Sequence, residues 1–382
     1  MNRAIVHMDL DTFFVSCERL SNSKLEGAPV IIGGGDRGVV ASCSYEARYF
    51  GVRSAMPMKM ALRLCPEARV VRGDMERYSQ LSHLVTEVIQ EKVPLMEKAS
   101  IDEFYMDLSG MDRFFGCYQW SQEIAQSVTK ETGLPISFAL STSKTVSKIG
   151  TGEAKPLGKL EIEPTGTQAF LNPLSVRKIP MVGTVTFQLL SRIGIRTIET
   201  LSQVPVEVLQ QMIGKSGQEL WKKANGIDLS PVVPYSERKS LSKEHTFSSD
   251  TIDVEELKRI LSGMAEALAY QLRKEKWLTS TVVVKIRYSN FDTETRQMRV
   301  AYTSLDHTLT RVALDLFDKL YTRRMRLRLI GLRFTGLVHG TYQMNLFEDS
   351  EEMIRLYQSM DKIRNRFGKY AVGRASGYKL RT

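Results

Sequence analysis

Ser100-Ile101-Asp102-Glu103-Phe104-Tyr105-Met106-Asp107 sets two adjacent carboxylates inside the apolar run Ala99–Leu108. The pattern predicts a strand or hairpin there. A second acidic pair, Asp9 and Asp11, ends the run Ala4-Ile5-Val6-His7-Met8, which predicts a short buried strand over Arg3–Met8. Carboxylates at strand ends, drawn from distant segments, suit a hard cation such as Mg²⁺, which prefers oxygen ligands. Two acidic strand ends in solvent give the same pattern. The residues alone leave both readings open.

Around these strands the chain reads as mixed α/β. Phe13–Leu20 predicts a helix, and Pro29-Val30-Ile31-Ile32-Gly33 a strand whose glycines match no phosphate-loop pattern and read as a turn. Gly38–Ser44 predicts a further β-rich run, and Tyr45–Arg53 a short helix stopped at Gly51. Arg48 and Arg53 are either phosphate clamps or solvated arginines. From Glu76 to Val93, Leu81, Leu84, Val85, Val88 and Ile89 recur at helical spacing. Trp120–Thr132 predicts a helix stopped by Gly133, and Ile136–Ser141 a strand.

Composition narrows the class of protein. The 382 residues suggest two to four domains, and 42% hydrophobic with 25% charged residues is ordinary for a globular chain. No apolar run reaches about 18 residues, and acidic residues interrupt the N-terminus too early for a signal peptide. The four cysteines form no metal-ligand spacing, so reduced thiols in the cytoplasm are expected. The net charge of +10 favours a polyanionic partner.

The second half supplies surfaces for one. Gly166–Val232 reads as small and helical. Val176–Gly183 followed by Val185–Ile193 resembles a helix-hairpin-helix, which holds a DNA phosphate by backbone amides; Met212–Gly217 is a candidate second turn. Pro231 to Ser242 reads as a linker. Beyond it the pattern is βαββαβ, with Asp253-x-x-Glu256 as a capping box. Val282, Val284, Ile286 and Tyr288 face one side of a strand, and Lys285 and Arg287 the other. Residues 235–340 hold 19 Lys and Arg against 13 Asp and Glu, a surplus of six. A basic open sheet face suits a nucleic-acid backbone. Gln343-Met344-Asn345-Leu346-Phe347 resembles the bacterial clamp-binding pentapeptide, and a helix is expected over Asp349–Phe367.

Four motifs carry a family resemblance: His7–Phe14, Ser44–Pro57, Ser100–Asp107 and Ala154-Lys155-Pro156-Leu157-Gly158. Their order and spacing resemble the Y-family, translesion DNA polymerases, close to the bacterial DNA polymerase IV group. The resemblance implies an α/β (α+β) right-hand polymerase with a ferredoxin-like palm (1–10 and 76–165), small fingers (11–75) and a helix-hairpin-helix thumb (166–232). A linker (233–240), a βαββαβ little finger (241–340) and a tail with the clamp motif (341–382) would follow.

The same resemblance implies a site. Asp9, Asp102, Glu103 and the Leu10 carbonyl would hold two Mg²⁺ ions, with Asp9, Asp102 and Glu103 catalytic. Thr12, Phe13, Phe14, Ser42, Tyr45, Arg48 and Lys155 would bind the incoming dNTP, with Phe14 as a steric gate against ribose. Val182, Gly183, Lys285 and Arg287 would touch primer-template DNA, and Gln343, Leu346 and Phe347 the β sliding clamp. Asp11 and Asp107 read as structural. The expected protein is a monomeric, non-membrane, low-fidelity polymerase without proofreading. A catalytically silent clamp- and DNA-bound scaffold and a palm-fold nucleotide cyclase are the alternatives. Several positions depart from the family pattern. Ala139 stands for Gly, Leu157 for Asn, Met181 for Gly and Phe104 for a small residue. Lys148-Ile149-Gly150-Thr151-Gly152 stands for Lys-Ile-Ala-Ser-Asp.

Overall fold

Ile5–Leu10 is the central strand of a five-stranded sheet, and its alternation decides what each face does. The computed structural model describes residues 3–35, 37–111, 116–235, 237–340, 351–368 and 371–373. The chain divides into two units, Met1–Ser236 and Glu237–Thr382. In the first, the strand order is Met96–Lys98, Glu103–Asp107, Ile5–Leu10, Ile136–Ser141 and Lys159–Glu161. Only the last pair is parallel.

Val6, Met8 and Leu10 point to one face, where they join Phe104, Met106 and Phe138 in the core. Two amphipathic helices, Met75–Gln90 and Cys117–Thr132, cover that face with Tyr78, Val85, Ile89, Ile124 and Val128. Each fully buried large apolar side chain contributes roughly 1.5–3 kcal/mol, so this layer is the main lock on the sheet. Gly133 ends the second helix at φ 71°, as its position suggested. The opposite face carries His7, Asp9 and Glu103, and the helix Lys144–Ala154 packs on that side. Ser143 caps this helix by accepting from the Val146 amide.

The structure refines three expectations. Of the strand or hairpin expected at Ala99–Leu108, the structure has the hairpin: Met96–Lys98 pairs antiparallel with Glu103–Asp107, and in the turn Ser100 Oγ accepts from the amides of Asp102 and Glu103. The β-rich run Gly38–Ser44 contracts to Ser42–Cys43, in a small three-stranded sheet with Val30–Ile32 and Arg69–Val71. The stretch Pro231 to Ser242 contains the division between the two units, and its first residues are packed. Arg3 donates to the carbonyls of Asp228 and Ser230, Glu97 accepts from the Val233 amide, and Val232 is buried against Ile5 and Tyr105.

The intervening region is helical. Thr184–Arg192, Val206–Ile213 and Lys215–Ala224 enclose Leu171, Leu190, Leu201, Leu209 and Leu220. Gly217 lies so close to the facing backbone that a Cβ there would sit 2.2 Å from the Leu209 carbonyl oxygen.

In the second unit the antiparallel order is Thr293–Thr303, Trp277–Tyr288, Leu327–His339 and Ser240–Thr251. Val254–Lys274, capped by Asp253, and Asp306–Leu320 pack on one face, giving the βαββαβ pattern. The helix Glu351–Phe367 joins this helical side. Tyr357 is fully buried, and Arg273 pairs with Asp306 at 2.5 Å and Asp361 at 2.7 Å. Arg364 pairs with Glu266.

Candidate active site and nucleic-acid surfaces

Asp9 and Glu103 are register partners on adjacent antiparallel strands, so their side chains share one sheet face. The Leu10 amide donates to the Asp102 carbonyl at 3.0 Å, which ties the two acidic segments together. Asp102 accepts from Ser100 Oγ at 2.5 Å. One cleft gathers Asp9, Leu10, Thr12, Phe13, Phe14, Ser42, Arg48, Asp102 and Lys155, with Ala41 and Ser54 beside them. Glu103 and Tyr45 lie outside its lining.

Three lysines face three acids across the sheet. Lys155 lies 2.5 Å from Asp9, Lys148 2.7 Å from both Glu103 oxygens, and Lys144 2.7 Å from both Glu97 oxygens. Among the described residues no three His, Cys, Asp or Glu side chains cluster closely enough to hold a metal.

The donors nevertheless fit a hard cation. Burial raises the Asp9 carboxyl to about 6; Lys155 works against this, while Asp102 and Glu103 add to it. Three carboxylates, Asp9, Asp102 and Glu103, face two lysines, Lys155 and Lys148, and every candidate donor is oxygen. His7 sits beneath, its ring tilted at 58° to that of Tyr105 with centroids 4.6 Å apart, and its Nε2 lies 3.9 Å from Glu103. Burial first, then Lys148, Lys155 and Lys144, hold its imidazole well below its ordinary value.

The nucleotide-binding candidates follow from local structure. Thr12 adopts φ 44°, ψ 45° and starts the helix Phe13–Ser21. The amides of Thr12, Phe13 and Phe14 therefore have no intrahelical acceptor and suit an anion. Phe14 stacks on Tyr78, with ring centroids 4.5 Å apart and planes at 14°. Tyr78 is fixed by donating to Glu18 at 2.6 Å. Arg48 lies over the Tyr45 ring at 4.9 Å, whereas Arg53 is spent on the carbonyls of Arg48 and Val52.

Asp11 is buried and accepts from Ser137 Oγ at 2.8 Å and the Leu157 amide at 2.7 Å, so it positions the Lys155 turn. Asp107 caps a turn through the Ser109 amide. The departures separate by geometry. Phe104 points into the core, away from the cleft. Leu157 and Met181 both hold positive φ, 52° and 82°, which explains Asn and Gly in the family pattern.

The nucleic-acid candidates lie on two surfaces. Val182 and Gly183 form the turn before Thr184–Arg192, but their amides donate to Ile179 and Met181. The first-turn amides after Gly183 are the ones helix geometry leaves for a phosphate. In the second unit, Lys285, Arg287, Arg299 and Arg333 lie on the sheet face opposite the helices, with Glu244 as its acid. Lys285 pairs with Glu244 at 2.9 Å, and Arg287 donates to Thr293 Oγ1 at 2.8 Å. Gln343, Leu346 and Phe347 lie outside the described residues. No described helix is long and apolar enough to cross a membrane.

Sequence reading missed Lys148, Tyr78 and Ser100. The available signal for Lys148 was its i, i+4 spacing from Lys144, which puts both cations on one helix face.

Comparison with known proteins agrees with this geometry. The impB/mucB/samB family matches residues 8–152, its C-terminal domain residues 238–346, and the DNA polymerase-iota thumb domain residues 177–228. A Y-family DNA polymerase chimera superposes with TM-score 0.77 at 23% identity, covering 88% of this chain and 100% of that one. DinB from Sulfolobus solfataricus gives 0.61 at 24% identity, with 88% and 100% covered. The fold is therefore that of a Y-family polymerase, with palm, thumb and little finger. DNA polymerase IV of Dehalococcoides mccartyi is 34% identical over 385 residues, covering 99% of this chain and 98% of the relative. That of Exiguobacterium sibiricum is 35% identical over 342 residues, covering 88% and 95%. The chain belongs to the DNA polymerase IV family of Y-family translesion DNA polymerases.

Proposed function

We propose that this chain extends a primer on a DNA template by nucleotidyl transfer of dNTPs, with Asp9, Asp102 and Glu103 at the reacting centre. The observation that carries the reading is the single cleft holding Asp9, Asp102, Arg48, Lys155 and Phe14. Asp9, Asp102, Glu103 and the Leu10 carbonyl are the ligands for two Mg²⁺ ions. When bound, such ions activate the attacking hydroxyl and neutralise the leaving pyrophosphate.

The chain's own groups do the rest. Arg48, Lys155, Ser42 and Tyr45, with the amides of Thr12, Phe13 and Phe14, bind and orient the triphosphate. Lys155 releases Asp9 as the phosphates take its charge. Phe14, held flat by Tyr78, fills the space a ribose 2′-hydroxyl needs. The first-turn amides after Gly183 and the basic face with Lys285 and Arg287 hold primer-template DNA without reading its sequence. Gln343, Leu346 and Phe347 dock on the sliding clamp.

Primer extension with each single dNTP and Mg²⁺ tests this. The wild type extends by the templated base, and Asp102→Ala does not. A wild type that fails to extend refutes the reading, and a fully active Asp102→Ala refutes the ligand assignment.

A further inference from the structure

We infer that Lys148 is a positioning residue of this active site: it neutralises and aims the Glu103 carboxylate, and it competes with a divalent cation for that carboxylate. The inference rests on the reading of Asp9, Asp102 and Glu103 as cation ligands.

Lys148 Nζ lies 2.7 Å from both Glu103 oxygens, two charge-assisted hydrogen bonds to one carboxylate. The other nearby groups are committed elsewhere. Lys155 is on Asp9 at 2.5 Å, Lys144 is on Glu97 at 2.7 Å, and Ser100 is on Asp102 at 2.5 Å. His7 stands 3.9 Å from Glu103, beyond hydrogen-bond reach. The counter-charge of Glu103 therefore comes from Lys148.

The mounting is rigid. Lys148 belongs to Lys144–Ala154, whose buried side packs Ser147, Gly150 and Thr151 toward the sheet. Thr151 Oγ1 donates to the His7 carbonyl at 2.9 Å, which fixes this helix to the strand bearing Asp9. Lys148 also lies outside the lining of the nucleotide cleft, unlike Lys155. It acts on the carboxylate and not on the triphosphate.

A divalent cation at Glu103 must share or displace this ammonium. Removing the ammonium deepens the negative potential around Asp9, Asp102 and Glu103. One unit charge at this distance, screened at a part-exposed site, corresponds to about a tenfold change in cation affinity.

The test uses chelator-treated full-length protein without DNA or nucleotide. MgCl₂ is titrated at constant ionic strength and the unfolding temperature is followed, since cation binding to the folded state raises it. Lys148→Met is expected to lower the half-saturating Mg²⁺ concentration about tenfold. Lys148→Arg stays near wild type, and Glu103→Gln with Lys148→Met matches Glu103→Gln alone. Lys148→Gln replaces Lys148→Met if the latter does not fold. An unchanged or raised half-saturation in Lys148→Met overturns the inference. So does a shift that persists without the Glu103 carboxylate, or no Mg²⁺ response in any variant. Primer extension by the wild type is scored in parallel. Extension without the Mg²⁺ shift sinks only the role of Lys148, whereas no extension sinks the polymerase reading beneath it.

Discussion

Ala139 and Gly150 exchange a methyl group relative to the family pattern, and the exchange predicts a specific energetic coupling. Ala139 lies on the strand Ile136–Ser141 and Gly150 on the facing helix Lys144–Ala154. A Cβ added at Gly150 would sit 2.8 Å from Ala139 Cβ and 2.7 Å from Ile162 Cδ1. Carbon atoms prefer about 3.5–4.0 Å, so Gly150→Ala alone overpacks the layer. That costs about 1–3 kcal/mol, offset by about 1 kcal/mol of helix propensity. Ala139→Gly alone removes a buried methyl and loosens a strand, at about 1.5–2 kcal/mol. In the double variant the methyl returns from strand to helix, and Ile162 Cδ1, the end of a flexible side chain, turns aside. The double variant should then lie within about 1 kcal/mol of wild type, a favourable coupling of about 2 kcal/mol. Urea unfolding of the four proteins, read by a probe in the first unit, measures it. Additivity within about 0.5 kcal/mol would refute the swap. Because the same helix carries Lys148, Gly150→Ala should also depress primer extension, and the double variant should restore it.

Three further outcomes follow from other parts of the molecule. Phe14→Ala is expected to lower the preference for dNTP over rNTP about tenfold or more in single-nucleotide insertion; unchanged preference rejects the gate. Replacing Leu346 and Phe347 by Ala should abolish capture by the sliding clamp while sparing extension of short primers; retained capture rejects the docking motif. Asp228 is partly buried, which opposes its charge, but Ser230 and Thr145 donors outweigh this and hold its carboxyl below the ordinary 3.8. A depressed carboxyl contributes stability above its unfolded value and loses it as pH falls through the folded one. Asp228→Asn should therefore cost about 1 kcal/mol at pH 7, discounted for its part exposure. The gap should close on acidification below 3.8; a gap that does not change with pH contradicts the assignment.

The sequence disclosed what local periodicity encodes. Val6, Met8 and Leu10 alternate with His7 and Asp9, so the buried strand and its acidic end were legible without any partner. Leu257, Leu261, Leu268 and Leu272 announced a helix for the same reason. What stayed hidden depends on pairs far apart in the chain. Lys148 and Glu103 are 45 residues apart, and nothing in either neighbourhood specifies the other. Ala139 and Gly150 each read as a lone departure until the strand and helix face each other. Val232 looked like part of a linker because its burial against Ile5 and Tyr105 is tertiary. The choice between strand and hairpin at Ala99–Leu108 stayed open in the sequence, because the turn is set by Ser100 Oγ accepting backbone amides that would otherwise be free for a ladder.

The Asp9 to Glu103 register has a bearing on how this protein can vary. Side chains alternate between faces at every residue of a strand, so inserting or deleting one residue within either strand sends its carboxylate into the apolar layer beneath. The active site therefore tolerates changes of composition, as Ala139, Gly150 and Phe104 illustrate, far better than changes of length. Gains and losses of chain among relatives should fall in the turns between strands, where they leave this two-residue frame intact.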